Sequence, residues 1–171
     1  GDVTAAHRRG CELVAQRGIV EIEQPADIVL VSAGGYPKDV NLYQAQKALD
    51  NAAYAVRDGG IIILVAECPE GFGNTICQAW LAEAASPDEV LQRIQQEFVL
   101  GGHKAAAIAA VLKRARVYLV SALPEGLVQL CGMAPFDDPA AAVQQALGEL
   151  GASAGVLVLP EGGSVLPVVS R

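Results

Sequence analysis

The chain has 171 residues, enough for one well-buried core and for a single domain. Apolar residues make up 52% of it and aromatics only 5%, so the core must be aliphatic, while a net charge of −7 argues against a nucleic-acid or anionic-membrane surface. The longest apolar runs, 60–66 and 155–160, are far too short to span a bilayer. No signal peptide or targeting segment is visible, and a cytoplasmic protein is expected.

Residues 3–17 have helical spacing, with Ala6, Leu13 and Val14 set against Arg8, Arg9, Glu12 and Arg17, and Gly18 stands where the helix would stop. The stretch 19–22 reads as a strand or as the approach to Pro25. The apolar run 28–31 predicts a buried strand, followed by a Gly34-Gly35 turn with Pro37 and a helix over 40–57 with Asp39 as its N-cap. Asp58-Gly59-Gly60 is expected to end that helix and open a second strand over 61–65, completing a βαβ unit with parallel strands. A glycine-bearing loop over 66–74 leads to a helix over 75–85. Ser86-Pro87-Asp88-Glu89 then has the N-cap, first-turn proline and third-position glutamate of a helix start, and that helix runs to about 98.

Gly101-Gly102 breaks the chain before a helix over 103–115. A third strand over 117–121 and a short helical segment over 124–130 follow. Asp138-Pro139 opens another helix that runs to 150, and a last strand covers 155–159. Buried strands alternating with helices predict a three-layer α/β/α, Rossmann-like domain over 1–171, with a mostly parallel sheet of about four to five strands. Parallel strands would gather the loops after 33, 67 and 161 on one edge, where open α/β sheets bind ligands.

Cys11, Cys68, Cys77 and Cys131 form no C-x-x-C pair and match neither a zinc site nor a disulfide scaffold, so reduced thiols are expected. Cys68, just past a strand end, reads as packing or as lining a site. There is no G-x-S-x-G elbow, no phosphate-binding P-loop and no complete G-x-G-x-x-G; Gly71-Phe72-Gly73 is only a fragment of one. The helix over 40–57 is more suggestive. Gln44 and Lys47 share a face three residues apart, and Tyr43 lies one turn from Lys47. An amide and an ammonium beside a crevice could hold a small carboxylate; the plainer reading is a surface pair, with Tyr43 packed on the sheet. His103 is either a cap-region residue or a polar group facing the site. His7, among charges, reads as a surface residue, and one histidine alone makes no metal site.

Four blocks in order carry a family likeness: G-G-Y-P-K-D-V-N-L-Y-Q-A-Q-K from Gly34, A-E-C from Ala66, F-V-L-G-G-H-K-A from Phe98, and P-E-G-G-S-V-L-P from Pro160. Together they resemble the nickel-dependent lactate racemase family, over essentially the whole chain and the C-terminal half of the family protein. The resemblance implies the C-terminal, substrate-binding domain of a two-domain 2-hydroxy acid racemase or epimerase. Residues 1–18 would be a helix from the interdomain region, and the protein's own N-terminal domain would be the partner. The start at Gly1, without methionine, also suggests a piece of a longer protein. The cofactor implied is a nickel pincer, a nicotinate-derived mononucleotide bound to a lysine. It takes hydride from C2 of the substrate while a histidine takes the hydroxyl proton.

Carried over residue by residue, Gln44 and Lys47 resemble the family's substrate-binding glutamine and lysine, and Tyr43 the tyrosine that closes the pocket. Gly1-Asp2 with Ala6-His7-Arg8 resembles a G-D-x-x-x-A-H-R segment whose histidine ligates nickel, which assigns His7 to the metal. The family's cofactor-bearing lysine and two acid/base histidines precede the matched segment. The 171 residues alone are therefore expected to hold no catalytic residue and no cofactor, and to be inactive. Where lactate-racemising members place a tryptophan against the substrate, this sequence has His103, which implies a larger or more polar 2-hydroxy acid. The competing reading is a non-catalytic α/β module that binds a nucleotide or small anion at the strand edge through helix N-termini.

Overall fold

The computed structural model describes residues 1–170. Helix α1 (Val3–Gly18) is capped by Asp2, whose carboxylate accepts from the Thr4 amide at 2.9 Å, and it buries none of its residues. It runs directly into β1 (Ile19–Ile22). The remaining elements follow in the order β2 (Ala26–Ser32), α2 (Leu42–Ala53), β3 (Val56–Val65), α3 (Thr75–Glu83), α4 (Pro87–Gln96), α5 (Gly102–Leu112), β4 (Arg116–Val120), α6 (Glu125–Leu130), β5 (Ala134–Phe136), α7 (Pro139–Leu150), β6 (Val156–Leu159) and β7 (Leu166–Val169). Five strands form one sheet in the order β5-β4-β3-β2-β6, every neighbouring pair parallel, while β1 and β7 pair in a separate parallel ribbon.

Strand alternation divides the core in two. Val29, Val31, Ile62, Leu64, Val117 and Leu119 point into the larger cluster with the apolar faces of α2, α3, α5 and α6. Ile28, Ile61, Ile63, Tyr118 and Val120 point to the other face, where Ala142 and Ala146 of α7 cover them. Helices therefore lie on both faces of a parallel sheet, the expected α/β architecture. Burial on both faces explains why β2 and β3 read as continuous apolar runs. The chain winds from β2 outward through β3, β4 and β5, then crosses by α7 to place β6 on the opposite side of β2. The carboxyl ends of β2 and β6 flank the point where the winding reverses, and such a switch point opens a crevice.

Several local expectations are corrected. Helix α2 begins at Leu42 rather than 40, with Asn41 rather than Asp39 as its cap: the Asn41 Oδ1 accepts from the Gln44 amide at 3.0 Å. Asp39 is buried instead, and ties two loops together. Its carboxylate accepts from the Glu67 amide at 3.2 Å and its carbonyl from the Cys68 amide at 3.0 Å. The helix ends at Ala53, and Asp58-Gly59-Gly60 lies within β3, where the register with β2 shifts. Gly60 is required there because a Cβ would stand 2.7 Å from the Asp27 carbonyl oxygen. Replacing Asn41 by alanine removes the cap of α2, and an expected loss of about 1 kcal/mol in urea unfolding checks it.

All four cysteines are free, with Cys11 exposed and the others buried. Burial pushes the thiols of Cys68 and Cys77 up to about 12 and that of Cys131 up to about 11. With each folded value above the unfolded one, the stability these neutral thiols contribute is present below the ordinary cysteine value of 9.0 and is lost as pH rises through the folded values. Iodoacetamide at a pH near that ordinary value should alkylate Cys11 rapidly and the other three only on unfolding, as mass spectrometry would read.

Candidate functional site

Lys47 and Gln44 stand on the first turns of α2, directly outside the switch point. The Lys47 ammonium donates to Gln44 Oε1 at 2.8 Å. Both line a cleft of ≈ 160 Å³ floored by Ala45 and Ala48 of the same helix and closed by Ala33 and Lys38, which follow β2, and Gly163, which follows β6. The cleft holds two lysines, but their electrostatic states differ. Lys38 is neutralised by Glu161 at 2.7 Å and also donates to Ser164 Oγ at 3.4 Å. Lys47 is paired with no carboxylate among the described residues. It is the cation of this cleft that a carboxylate ligand would find unengaged.

Backbone amides add little to anion binding here. The first three of α2 are already spent: Leu42 donates to the Gly71 carbonyl at 3.1 Å, Tyr43 to that of Phe72 at 3.0 Å, and Gln44 to its Asn41 cap. The amide of Cys77, in the first turn of α3, is likewise taken by Asn74 Oδ1 at 2.8 Å. At α2, side chains rather than the helix end are left to meet a ligand.

An aromatic row runs along the same edge. The Tyr43 ring meets the His103 ring edge-on with centroids 6.3 Å apart, and His103 stacks on Phe98 at 5.9 Å. Phe98 is 73% exposed, and its neighbour Leu100 is also largely exposed. His103 Nδ1 accepts from the Gly101 amide at 3.3 Å, an interaction made within its own turn. Beneath this row Lys104 reaches across from α5 to α2, donating to Oε1 of the buried Gln46 at 2.5 Å and lying 5.5 Å from the centre of the Tyr43 ring. Desolvation lowers the Lys104 pKa against the pull of Asp50, and burial raises that of Asp50. Cys68, buried at the end of β3, holds a left-handed backbone (φ 55) at this carboxyl edge, an arrangement that clusters at functional sites.

His7 stands apart from this row. It lies on exposed α1 and lines a separate, mainly apolar groove of ≈ 580 Å³ that also includes Cys11, Val14, Gly163 and Ser164. Gly163 borders both the groove and the Lys47 cleft. Tyr43, Gln44, Lys47 and His103 thus share one edge, with His7 reached across the loop after β6. Sequence reasoning missed Lys38, Glu161, Phe98 and the Lys104–Gln46 link. A lysine and a glutamate on loops that follow two different strands gave one signal for the first pair; the others depend on how α5 docks against α2.

The family model described as the lactate racemase C-terminal domain matches residues 21–167. Curated lactate racemases of Thermoanaerobacterium thermosaccharolyticum and Lactiplantibacillus plantarum are 33% and 31% identical over 97% of this chain, which spans 40% of the length of each. The structure of the lactate racemase apoprotein from Thermoanaerobacterium thermosaccharolyticum superposes with a TM-score of 0.89 at 33% identity, covering 97% of this chain and 40% of that one. A crystal structure from Thermotoga maritima, at TM-score 0.67 and 18% identity over 98% of this chain and 42% of its own, shares the fold alone. The chain belongs to the lactate racemase C-terminal domain family.

Proposed function

We propose that this chain is the substrate-side domain of a 2-hydroxy acid racemase or epimerase that works by hydride transfer with a nickel pincer cofactor. The observation that carries the reading is the Lys47–Gln44 pair, an ammonium with no carboxylate partner among the described residues, at the mouth of the switch-point crevice. Gln44 Oε1 occupies the position on Lys47 that a substrate carboxylate would take. On binding, the carboxylate replaces that amide oxygen, and the rotated Gln44 amide donates to its second oxygen. Tyr43 and His103 form a wall that excludes water and limits the substituent on C2. His103 offers that substituent a polar contact, which favours a larger or more polar 2-hydroxy acid over lactate.

The cofactor would meet this chain at His7. The His7 ring is exposed and has no carboxylate or carbonyl partner among the described residues, so a nitrogen is available to a metal. No cluster of three or more metal-ligating side chains occurs among the described residues, which fits a single imidazole joining a metal whose other ligands come from the bound group. When bound, the nickel pincer supplies a reversible acceptor for the C2 hydride. The proton from the substrate hydroxyl would go to histidines of the N-terminal domain, the proposed partner.

The test is full-length protein carrying its cofactor, given single enantiomers of lactate and of larger 2-hydroxy acids labelled with deuterium at C2. The expected result, by chiral chromatography and mass spectrometry, is inversion with the deuterium kept in the product. Inversion with loss of deuterium to solvent would replace hydride transfer by proton abstraction. No inversion of any such acid would remove the racemase reading.

A further inference from the structure

We propose that Lys104 is a positioning residue of the 2-hydroxy acid site, whose ammonium holds the Tyr43 ring as a fixed wall beside the Lys47–Gln44 clamp. The inference rests on the racemase reading and deepens it. Two consecutive residues of α5 bound that ring: His103 meets it edge-on with centroids 6.3 Å apart, and the Lys104 ammonium lies over it at 5.5 Å from its centre. A cation within about 6 Å of an aromatic centroid is attracted by the electron-rich ring face, more strongly where water is excluded. The ammonium is in turn anchored on α2. It donates to Gln46 Oε1 at 2.5 Å, and Gln46 is fully buried. Asp50, one turn further along α2, supplies the opposing charge. Lys104 therefore meets both the ring and the helix that carries Tyr43, Gln44 and Lys47.

The arrangement costs the fold stability, which separates a positional role from packing. Desolvation lowers the Lys104 pKa; Asp50 resists that shift and the nearby Lys47 charge adds to it. Burial raises the Asp50 pKa, opposed by the Gln46 amide and by Lys104. The Gln46 Nε2 lies on the Asp50 side yet closes no hydrogen bond among the described residues, a condition that destabilises a buried amide. An apolar side chain at position 104 would avoid each of these costs, since well-packed apolar groups commonly equal or exceed buried ionic ones in stability. What it would lose is the cation on the Tyr43 ring. That ring limits how the C2 substituent can swing, and small misplacements of the reacting carbon lower the rate steeply.

The experiment uses the full-length, cofactor-loaded protein and separates kcat from KM for its 2-hydroxy acid. Lys104→Met keeps the length of the side chain and removes the charge. The expected result is a kcat lower by about tenfold with KM within about threefold of the parent, because the wall loosens while the Lys47 clamp stays. Lys104→Arg keeps a cation for the ring and should hold kcat within about threefold of the parent. Tyr43→Leu should lower kcat by itself and leave Lys104→Met less than about a twofold further effect, since residues that act through one contact are not additive. Lys104→Met combined with Gln46→Leu replaces both hydrogen-bond partners by apolar groups, so no buried acceptor is left unpaired. It should melt near the parent and show the same fall in kcat. Parent-like kcat in either charge-free variant, an equal fall in Lys104→Arg, or additive losses with Tyr43→Leu would overturn the proposal. A parent that inverts no 2-hydroxy acid would remove the racemase reading and this inference together, whereas an active parent with any of those three outcomes removes this inference alone.

Discussion

Replacing Lys47 by alanine in the full-length, cofactor-loaded protein is expected to lower kcat/KM for its 2-hydroxy acid by about 10²-fold. A hydrogen bond to a charged group contributes about 1.5–3 kcal/mol, and each ~1.4 kcal/mol is a factor of ten in rate. Lys47 is exposed and its partner in the structure is a neutral amide, so its removal leaves no buried charge and no cavity. The melting temperature should stay unchanged while activity falls. Lys38→Ala is the informative contrast. Its ammonium already faces Glu161 in an exposed pair, and such pairs contribute roughly 0–1 kcal/mol, so the loss should be far smaller. Gln44→Ala should fall between the two. Racemisation by Lys47→Ala at the parent rate would show that the substrate carboxylate is held elsewhere.

The architecture was legible because its signals are local. Burial on both faces makes β2 and β3 continuous β-branched runs, and Ser86-Pro87 or Asp138-Pro139 mark helix starts chemically. What escaped lacks such signals. Strand β5 is Ala-Pro-Phe and β7 is Leu-Pro-Val-Val, too short for periodicity and each carrying a proline, which a parallel core strand would not tolerate but an edge position does. The start of α2 was misplaced because Asp39 and Asn41 are both good caps. Only the tertiary structure decides between them, by burying Asp39 against the β3 loop. The same division holds at the site. Tyr43, Gln44 and Lys47 share one helix and could be grouped by spacing alone. The contacts of Glu161 with Lys38 and of Phe98 with His103 arrive through crossovers that no spacing rule encodes.

Gly162→Ala is expected to lower stability by about 3 kcal/mol, a cost set by overpacking against atoms that cannot retreat. The glycine is fixed from two sides: its amide donates to the Ser32 carbonyl at 2.9 Å, and its carbonyl accepts from Asn51 Nδ2 at 2.7 Å. A Cβ here would collide with the Val31 side chain and lie 3.1 Å from both Ala48 Cβ and the Ser32 carbonyl oxygen. Val31 is fully buried in the central strand and Ala48 in α2, so relief has to come from moving the loop. That movement breaks the bonds to Ser32 and Asn51 and carries Glu161 away from Lys38. For a chain of this size the melting temperature should drop by about 6–12 °C. Gly163→Ala supplies the control within the same loop. Its Cβ would meet only the Ala33 carbonyl oxygen, at 3.7 Å, an ordinary contact, and the expected change is within about 0.5 kcal/mol. Neither glycine has a left-handed backbone, so the difference between the two variants measures steric fit alone. Equal melting temperatures would mean that the loop after β6 is not seated against β2 and α2, and the switch-point cleft would lose that wall.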